Sequence, residues 1–509
     1  MIMDDRMPHA LSSDEILVRI GLNESVIRDQ LGTYEQKTAI FSWLDTLRAI
    51  EECINLLVVD WSAEEEAVIA ELFATRVERF LVEPTYLIWI REWLTVRFNA
   101  NFAARFGNLM VQCFAIRHSF AMHGIETAEE GLADVGSMIG YFQSRRRHLV
   151  AVLQLMPHVC RGVKPLHPLD TLNVVLPLVE LHALPMSGCQ TVLNVRFARQ
   201  SLNLSDDSKS ELAMLSPLFL EPERAPIVDM PINEEGLEIL RKREQVRDDR
   251  LFSAAELRND IAFIEAAYAE FDLTASDFPA CSKLIRKLSN DYIDRDFWIA
   301  ITPPDLERLF RRFSASKALK DAFVNRSGDY SNCLSTYAPM VLVGGVYRST
   351  VTLLSRFLYN WRARSLDRKK RYQIRSGFIF EDAVAAELGK QGFALQAITR
   401  VGRAEFDVVT VREGIIWNVQ CKNNFRHLDQ VDSNAERFAR YNRSLVRAYE
   451  RALQKEVGRE HLLKTKIGLD RVQHMLVSRF PVVTDDLRVL PFSRIGDFSQ
   501  RAQLVLQGA

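Results

Sequence analysis

Apolar residues recur at three- and four-residue steps through most of the first two hundred positions, the spacing of helices that bury one face. Phe41, Leu44, Leu47, Ile50, Ile54 and Leu57 make one such stripe. Ser12-Ser13-Asp14-Glu15 and Ser62-Ala63-Glu64-Glu65 have capping-box spacing ahead of apolar runs, a signal for helix starts. The run YLIWIREWLTVRF behind Pro84 predicts a largely buried helix, whereas Pro185 to Phe197 (PMSGCQTVLNVRF) predicts a turn and a strand. Residues 1–200 are therefore expected to form a mostly helical domain. From 201 to 236 the chain turns polar and carries Pro217, Pro222, Pro226 and Pro231, the composition of a linker or long surface connection. Helical patterning returns over 237–375, with Ser253-Ala254-Ala255-Glu256 as a cap and Thr302-Pro303-Pro304-Asp305 as a helix start. No repeat at solenoid spacing and no low-complexity tract is present.

The period changes near the end of the chain. Glu405 to Val411 and Ile415 to Lys422 are β-prone runs around Arg412-Glu413-Gly414, which predicts two strands and a tight turn. Side chains alternate along a strand, so Gln420 and Lys422 share a face, and Val419 and Cys421 take the other. Asp407 is expected inside the first strand, among core residues. A carboxylate, a carboxamide and an ammonium on adjoining buried strands are costly unless they bind something, and a divalent metal beside a phosphate would satisfy them. Glu405 shares the face of Asp407, as a supplementary ligand or a rim charge. Upstream, GFIFEDAVAAELGKQGF predicts a helix with Phe380, Val384, Leu388 and Ile379 on its apolar face and Glu381 beside it. Gly389 or Gly392 ends it. Downstream, Ala435 to Glu456 predicts an amphipathic helix, and Arg471 to Val483 a further strand. A helix, two strands, a helix and a strand fit an α/β sandwich with a mixed sheet.

The order Glu381, Asp407, Gln420-Cys421-Lys422 resembles the PD-(D/E)XK nuclease superfamily, and the phrase VQCK resembles its QxK variant, the Mrr-type restriction endonucleases. The resemblance covers the chain from Ser376 onward. It implies a restriction-endonuclease-like domain over 376–509 in which Glu381, Asp407 and Gln420 hold Mg²⁺, with Mn²⁺ as a substitute, and Lys422 assists the attacking water. All four residues would then be catalytic. Phe406 stands where the family name has proline, and Gln420 where a carboxylate is commoner. The Cys421 carbonyl is a further candidate oxygen. Asp407 and Lys422 as a plain buried salt bridge is the structural alternative. The fold expectation is thus multidomain: a mostly helical N-terminal body followed by an α/β nuclease-like domain.

Charge changes the picture of partners. The net charge is −1, yet residues from Arg362 onward hold 27 Lys and Arg against 17 Asp and Glu, leaving the preceding body at −11. A basic terminal third suggests a polyanionic partner. Trp361 to Arg375 concentrates seven basic residues, among them Lys369, Lys370 and Arg371. In the later helix Arg437, Arg440, Arg443, Arg447, Arg451 and Lys455 fall at steps of three and four, a stripe about 120° wide. Phe438, Leu445, Val446, Tyr449, Ala452 and Leu453 oppose it. These cations are the expected nucleic-acid contacts, with a solvated or salt-bridged face as the alternative.

The remaining composition sets bounds. Seven scattered cysteines, without CxxC pairs, favour a reducing compartment. No signal peptide is expected, and no apolar stretch long enough to span a membrane, so the expected location is cytoplasmic. In the first domain His118, His123, His148, His158, His167 and His182 have no zinc spacing, and Arg145-Arg146-Arg147-His148 is expected to be an exposed basic patch. The leading functional expectation is a metal-dependent DNA endonuclease, a hydrolase of the restriction or phage-defence kind. RNA stays open as substrate because nothing discriminates a 2′-hydroxyl. The other class is a nuclease fold kept as a nucleic-acid-binding or structural module. The helical body is the expected surface for protein partners or self-assembly.

Overall fold

The computed structural model describes residues 10–59, 61–125, 130–204, 251–294, 296, 298–423, 434–479 and 481–508. These residues are mostly helical, with a mixed sheet near the C-terminal end. The chain divides into two compact units that do not follow sequence order. One gathers Gly21–Met186 and Ile232–Ser365; the other gathers Met1–Ile20, Ser187–Pro231 and Leu366–Ala509. The connection expected over 201–236 lies outside the described residues from 205 onward.

The first unit is built on helices α1 (Gln36–Asn55), α2 (Ala100–Met122) and α3 (Val135–Val159). The stripe expected on α1 is buried at Leu44, Leu47, Ile50 and Ile54, and Trp43 donates its indole N–H to the Leu149 carbonyl at 3.1 Å. The same helix also buries charge. Glu52, wholly inaccessible, accepts from Arg48 at 3.0 Å and from Arg105 at 2.8 Å, and Arg48 reaches Asp296 at 3.0 Å. Glu51 receives Arg146 through two hydrogen bonds of 2.7 and 3.1 Å, and Arg356 at 3.2 Å. Burial pushes the Glu51 carboxyl up, but Arg146 and Arg356 outweigh it and hold the group below its usual range.

These pairs correct one expectation. Arg145-Arg146-Arg147-His148 is not an exposed patch: Arg146, Arg147 and His148 are buried in α3. Each cation has an internal partner, Glu180 for Arg145, Glu51 for Arg146 and the Leu334 carbonyl for Arg147. His148 faces the Tyr330 hydroxyl at 2.9 Å, and burial, then Arg147 and Arg145, push its pKa down to about 3. A small antiparallel sheet completes the unit, with β1 (Trp298–Ile301), β2 (Val341–Val343) and β3 (Val346–Thr350) in the order β1-β3-β2.

Pro185 to Phe197 is helical rather than a turn and a strand, as part of α4 (Leu184–Ser201). Pro185 lies inside a continuous helical run, just after a π-helical turn over Val179–Ala183, the kind of local widening that goes with a proline's missing N–H. Burial of Cys189, Val192 and Leu193 against Leu11 and Ile16 overrides the β-prone character of the run. Among the described residues one helical run, Pro168–Ser201, is long and apolar enough by length and composition to cross a membrane. Its apolar side chains Leu172, Val175, Leu176 and Val179 lie in the protein core, and its Glu180 accepts from the Tyr141 hydroxyl at 2.7 Å.

In the second unit α5 (Lys370–Lys390) precedes β4 (Ala394–Leu395) and a short ribbon of β5 (Arg400–Val401) and β6 (Ala404–Glu405). Then come β7 (Val408–Arg412), β8 (Ile415–Lys422), α6 (Ala435–Val457), α7 (Glu460–Ile467), β9 (Arg471–Ser478), β10 (Val489–Pro491) and α8 (Phe498–Leu506). The five-stranded sheet has the order β10-β9-β8-β7-β4. β7 and β8 pair antiparallel through a two-residue turn in which Glu413 and Gly414 both have positive φ, 53° and 71°. That turn geometry matches the twist of a hairpin. β9 runs parallel to β8, and β10 to β9.

Strand β8 is buried almost throughout, and its two faces differ. Ile415, Trp417, Val419 and Cys421 pack with Phe380, Val384 and Leu388 of α5 and Phe498 of α8. Ile416 lies on the other face with Leu463 of α7, and the neighbouring Leu476 of β9 meets Val446, Tyr449 and Leu453 of α6. On that second face Asn418, Gln420 and Lys422 follow. Removing one member of a buried ion cluster strands the others without solvent. Glu52→Ala is accordingly expected to destabilise the protein by about 3–5 kcal/mol, read as a lower denaturation midpoint with an unchanged m-value.

Candidate active site

The hairpin register sets the site. Val408 pairs with Val419, so one residue further back Asp407 stands opposite Gln420. Asp407 does not lie inside a strand as expected. It occupies the bend between β6 and β7, where the chain leaves the ribbon and enters the sheet. The bend frees its carboxylate from the core: Asp407 Oδ2 accepts the Cys421 backbone N–H at 2.8 Å and lies 3.9 Å from Lys422 Nζ. Lys422 Nζ in turn donates to Gln420 Oε1 at 3.1 Å. The three polar residues picked out from the strand pattern thus meet at the open end of the hairpin.

Glu381 comes from α5, held by Phe380 and Val384, which are buried against the sheet. Its carboxyl is pushed up to about 7 by burial first, then by the charges of Asp407 and Asp382, with Lys422 opposing. Asp407 is also raised, by burial first, against the lowering effects of Lys422 and the Cys421 N–H. The Asp407 charge thus reaches Glu381 and raises its proton affinity. Cys421 points to the opposite face, and burial raises its thiol far above the usual range, so it supplies no nucleophile. Glu405 is exposed and paired with Arg400 at 3.2 Å, which makes it a rim charge.

Among the described residues no group of three or more His, Cys, Asp and Glu side chains is placed to share an ion. The oxygen donors present are two carboxylates, Glu381 and Asp407, and the Gln420 carboxamide. They suit a hard cation such as Mg²⁺, which takes oxygen ligands and keeps several waters. The buried amide nitrogen of Gln420 has no hydrogen-bond partner among the described residues. That unmet donor, and the charge of Asp407 acting on Glu381, are the features an anionic substrate oxygen and a bound cation would relieve.

The basic residues flank the same end of the sheet. Ser376 Oγ of α5 accepts from the side chain of Asn423, the residue after Lys422, at 3.0 Å. The start of α5, with Lys370 and Arg371 exposed and Lys369 half-buried, therefore lies toward the site. In α6 Glu456 meets Asn418 and Asn442 meets Val483, beyond the end of β9, so the first half of α6 lies toward that end too. Arg437, Arg440, Arg447 and Arg451 are exposed and Arg443 half-buried. None has an acidic partner among the described residues. Sequence patterning alone does not reveal Asn418, Ser376, Asn423, Glu456 and Arg459 as parts of this region. Asn418 and Glu456 do carry a signal: each is a polar residue at a position that strand or helix periodicity assigns to the core.

No protein-family model, curated protein or solved structure matches this chain. The site therefore stands on its own geometry. One consequence concerns pH. Glu381 titrates near 7 in the fold, above the ordinary 4.5, so the unfolded chain loses this proton first and stability falls as pH rises through that window. Glu381→Gln is expected to raise the melting temperature relative to wild type at pH 8. The difference should vanish by pH 4.5 in metal-free buffer, as thermal denaturation at the two pH values would show.

Proposed function

We propose that the second unit is a metal-dependent endonuclease that hydrolyses phosphodiester bonds, with DNA as its substrate. The observation that carries this reading is the meeting of Asp407, Gln420 and Lys422 at the open end of the hairpin, with the Glu381 carboxyl coupled to them. The order of helix, hairpin, helix and parallel strand around them agrees with the restriction-endonuclease-like arrangement implied by the resemblance. Glu381, Asp407 and Gln420 would hold Mg²⁺, which when bound lowers the pKa of water and offsets charge on the phosphate. Lys422, held between the Asp407 carboxylate and the Gln420 oxygen, orients the attacking water and faces the charge that builds on phosphorus-bound oxygen. The P–O bond to the leaving oxygen breaks as the water oxygen bonds to phosphorus; the attacking water gives up a proton to solvent, and the leaving oxygen takes one from solvent. The exposed arginines of α6 and the start of α5 supply the sequence-independent grip on the phosphate backbone. A cytoplasmic role in restriction or phage defence, and the use of the helical unit for partners or self-association, belong to the same proposal.

One observation favours a second reading. Lys422 Nζ already occupies Gln420 Oε1, the oxygen a cation needs, as in a site that binds nucleic acid without cutting it. Incubation with supercoiled and linear DNA, and with RNA, in Mg²⁺ or Mn²⁺ separates the readings. Cleavage of DNA by wild type, lost by at least about a hundredfold in Asp407→Ala and Lys422→Ala with binding retained, is the expected result. Binding without cleavage supports the second reading; cutting of RNA alone reassigns the substrate; neither binding nor cutting removes the proposal.

The arginine stripe has its own test. Replacing Arg437, Arg440 and Arg447 together by Gln should weaken DNA binding at all sequences. The slope of log affinity against log salt should fall by about three, roughly one for each phosphate no longer neutralised. An unchanged slope would assign the stripe to another surface.

A further inference from the structure

On the face of β8 that carries Gln420 and Lys422, polar contacts continue inward. Asn418, fully buried two residues before Gln420, donates to Glu456 Oε2 at 2.8 Å. Glu456, with a side chain only 1% exposed, lies in the last turn of α6 and accepts from Arg459 Nε at 3.1 Å. The Arg459 guanidinium stacks over the ring of Phe406, 5.0 Å from its centroid. Phe406 is buried and immediately precedes Asp407. A single chain of contacts thus runs from the strand that bears Gln420 and Lys422, through a buried carboxylate, to the residue that sets the bend of Asp407.

We propose that Glu456 and Arg459 are positioning residues of the candidate metal site: they clamp β8 to the Asp407 bend, and their opposite charges cancel behind the carboxylates. This inference rests on the nuclease reading of that site and deepens it. A buried ion pair is a poor device for stability alone, since desolvation offsets most of its attraction. Here the pair stands between Asn418, two residues before Gln420, and Phe406, the residue next to Asp407. Kept together, the two charges leave the field at the site near that of Glu381, Asp407 and Lys422 alone. Separated, each would bias the site toward or against a cation. The stacking of Arg459 on Phe406 adds a geometric constraint that a point charge would not impose, because a planar guanidinium is held by the ring face.

The test compares Glu456→Gln, Arg459→Gln and the double variant, with wild type, in the full-length protein. Mn²⁺ binding is measured by the electron paramagnetic resonance signal of the free ion, without substrate, and folding by the thermal transition. Glu456→Gln leaves an uncompensated cation and should weaken Mn²⁺ binding on the order of tenfold. Arg459→Gln leaves the anion and should tighten it. The double variant, neutral again, should return to within about threefold of wild type, a rescue that charge cancellation requires and pairwise coupling would report. If either single variant does not fold, the other with the double still decides. Three variants that all weaken binding, with the double the weakest, would make the pair merely structural and overturn the inference. So would singles with wild-type affinity. Wild type that binds no Mn²⁺ and cuts nothing would instead overturn the nuclease reading, and the inference with it.

Discussion

A strand buried on both faces carries polar side chains at a cost that partners must offset, and β8 carries three in succession on one face. That requirement shapes the second unit. Asn418 is met by a carboxylate from the last turn of α6, Gln420 by the ammonium of Lys422, and Lys422 by the carboxylate opposite. The apolar face of the same strand binds α5 and α8, so the polar face is fixed in position by a core that has no stake in its chemistry. Gln420 and Lys422 sit on the central strand of the sheet, Glu381 on α5 and Asp407 on a bend, so most of the site is carried by regular elements.

Much of this is legible in the residues, because strand alternation is strict. The boundaries Ile415 to Lys422 and the buried stripe of α6 follow from patterns of two and of three to four, and the turn expected over Arg412-Glu413-Gly414 is there in its last two residues, with Arg412 still in β7. Asp407 is harder. Phe406, Val408 and Val409 read as an uninterrupted β-prone run, yet the chain breaks there because Ala404 and Glu405 pair with Arg400 and Val401 in a separate ribbon. That pairing is non-local information. The helical unit misleads in the opposite way: charged runs such as Arg145 to His148 read as surface, since no local pattern reveals that Glu51, Glu180 and Tyr330 wait inside. Helix periodicity reports which face is buried only when the buried face is apolar.

The two units handle charge differently. In the helical unit arginines and carboxylates neutralise one another in the interior, around α1 and α3. In the α/β unit the charge of Asp407 pushes the Glu381 carboxyl up and the outer arginines of α6 stand without acidic partners among the described residues. The first arrangement is closed and satisfied. The second keeps uncancelled attraction at one end of a sheet, the pattern expected where a cation and a polyanion are to be recruited.

The α/β unit also draws on distant parts of the chain. Leu11 and Ile16 pack with Cys189, Val192 and Leu193, and Arg199 pairs with Asp485 at 3.0 Å. During synthesis the first two of these segments emerge long before the hairpin that bears Lys422. Arg199 has to wait for Asp485 until that stretch has been made. Contacts of such long sequence separation form slowly and late, and β8 takes its final setting only once β9, which pairs with it, has been made. A fragment beginning at Leu366 would carry every candidate catalytic residue and still lack part of its own wall.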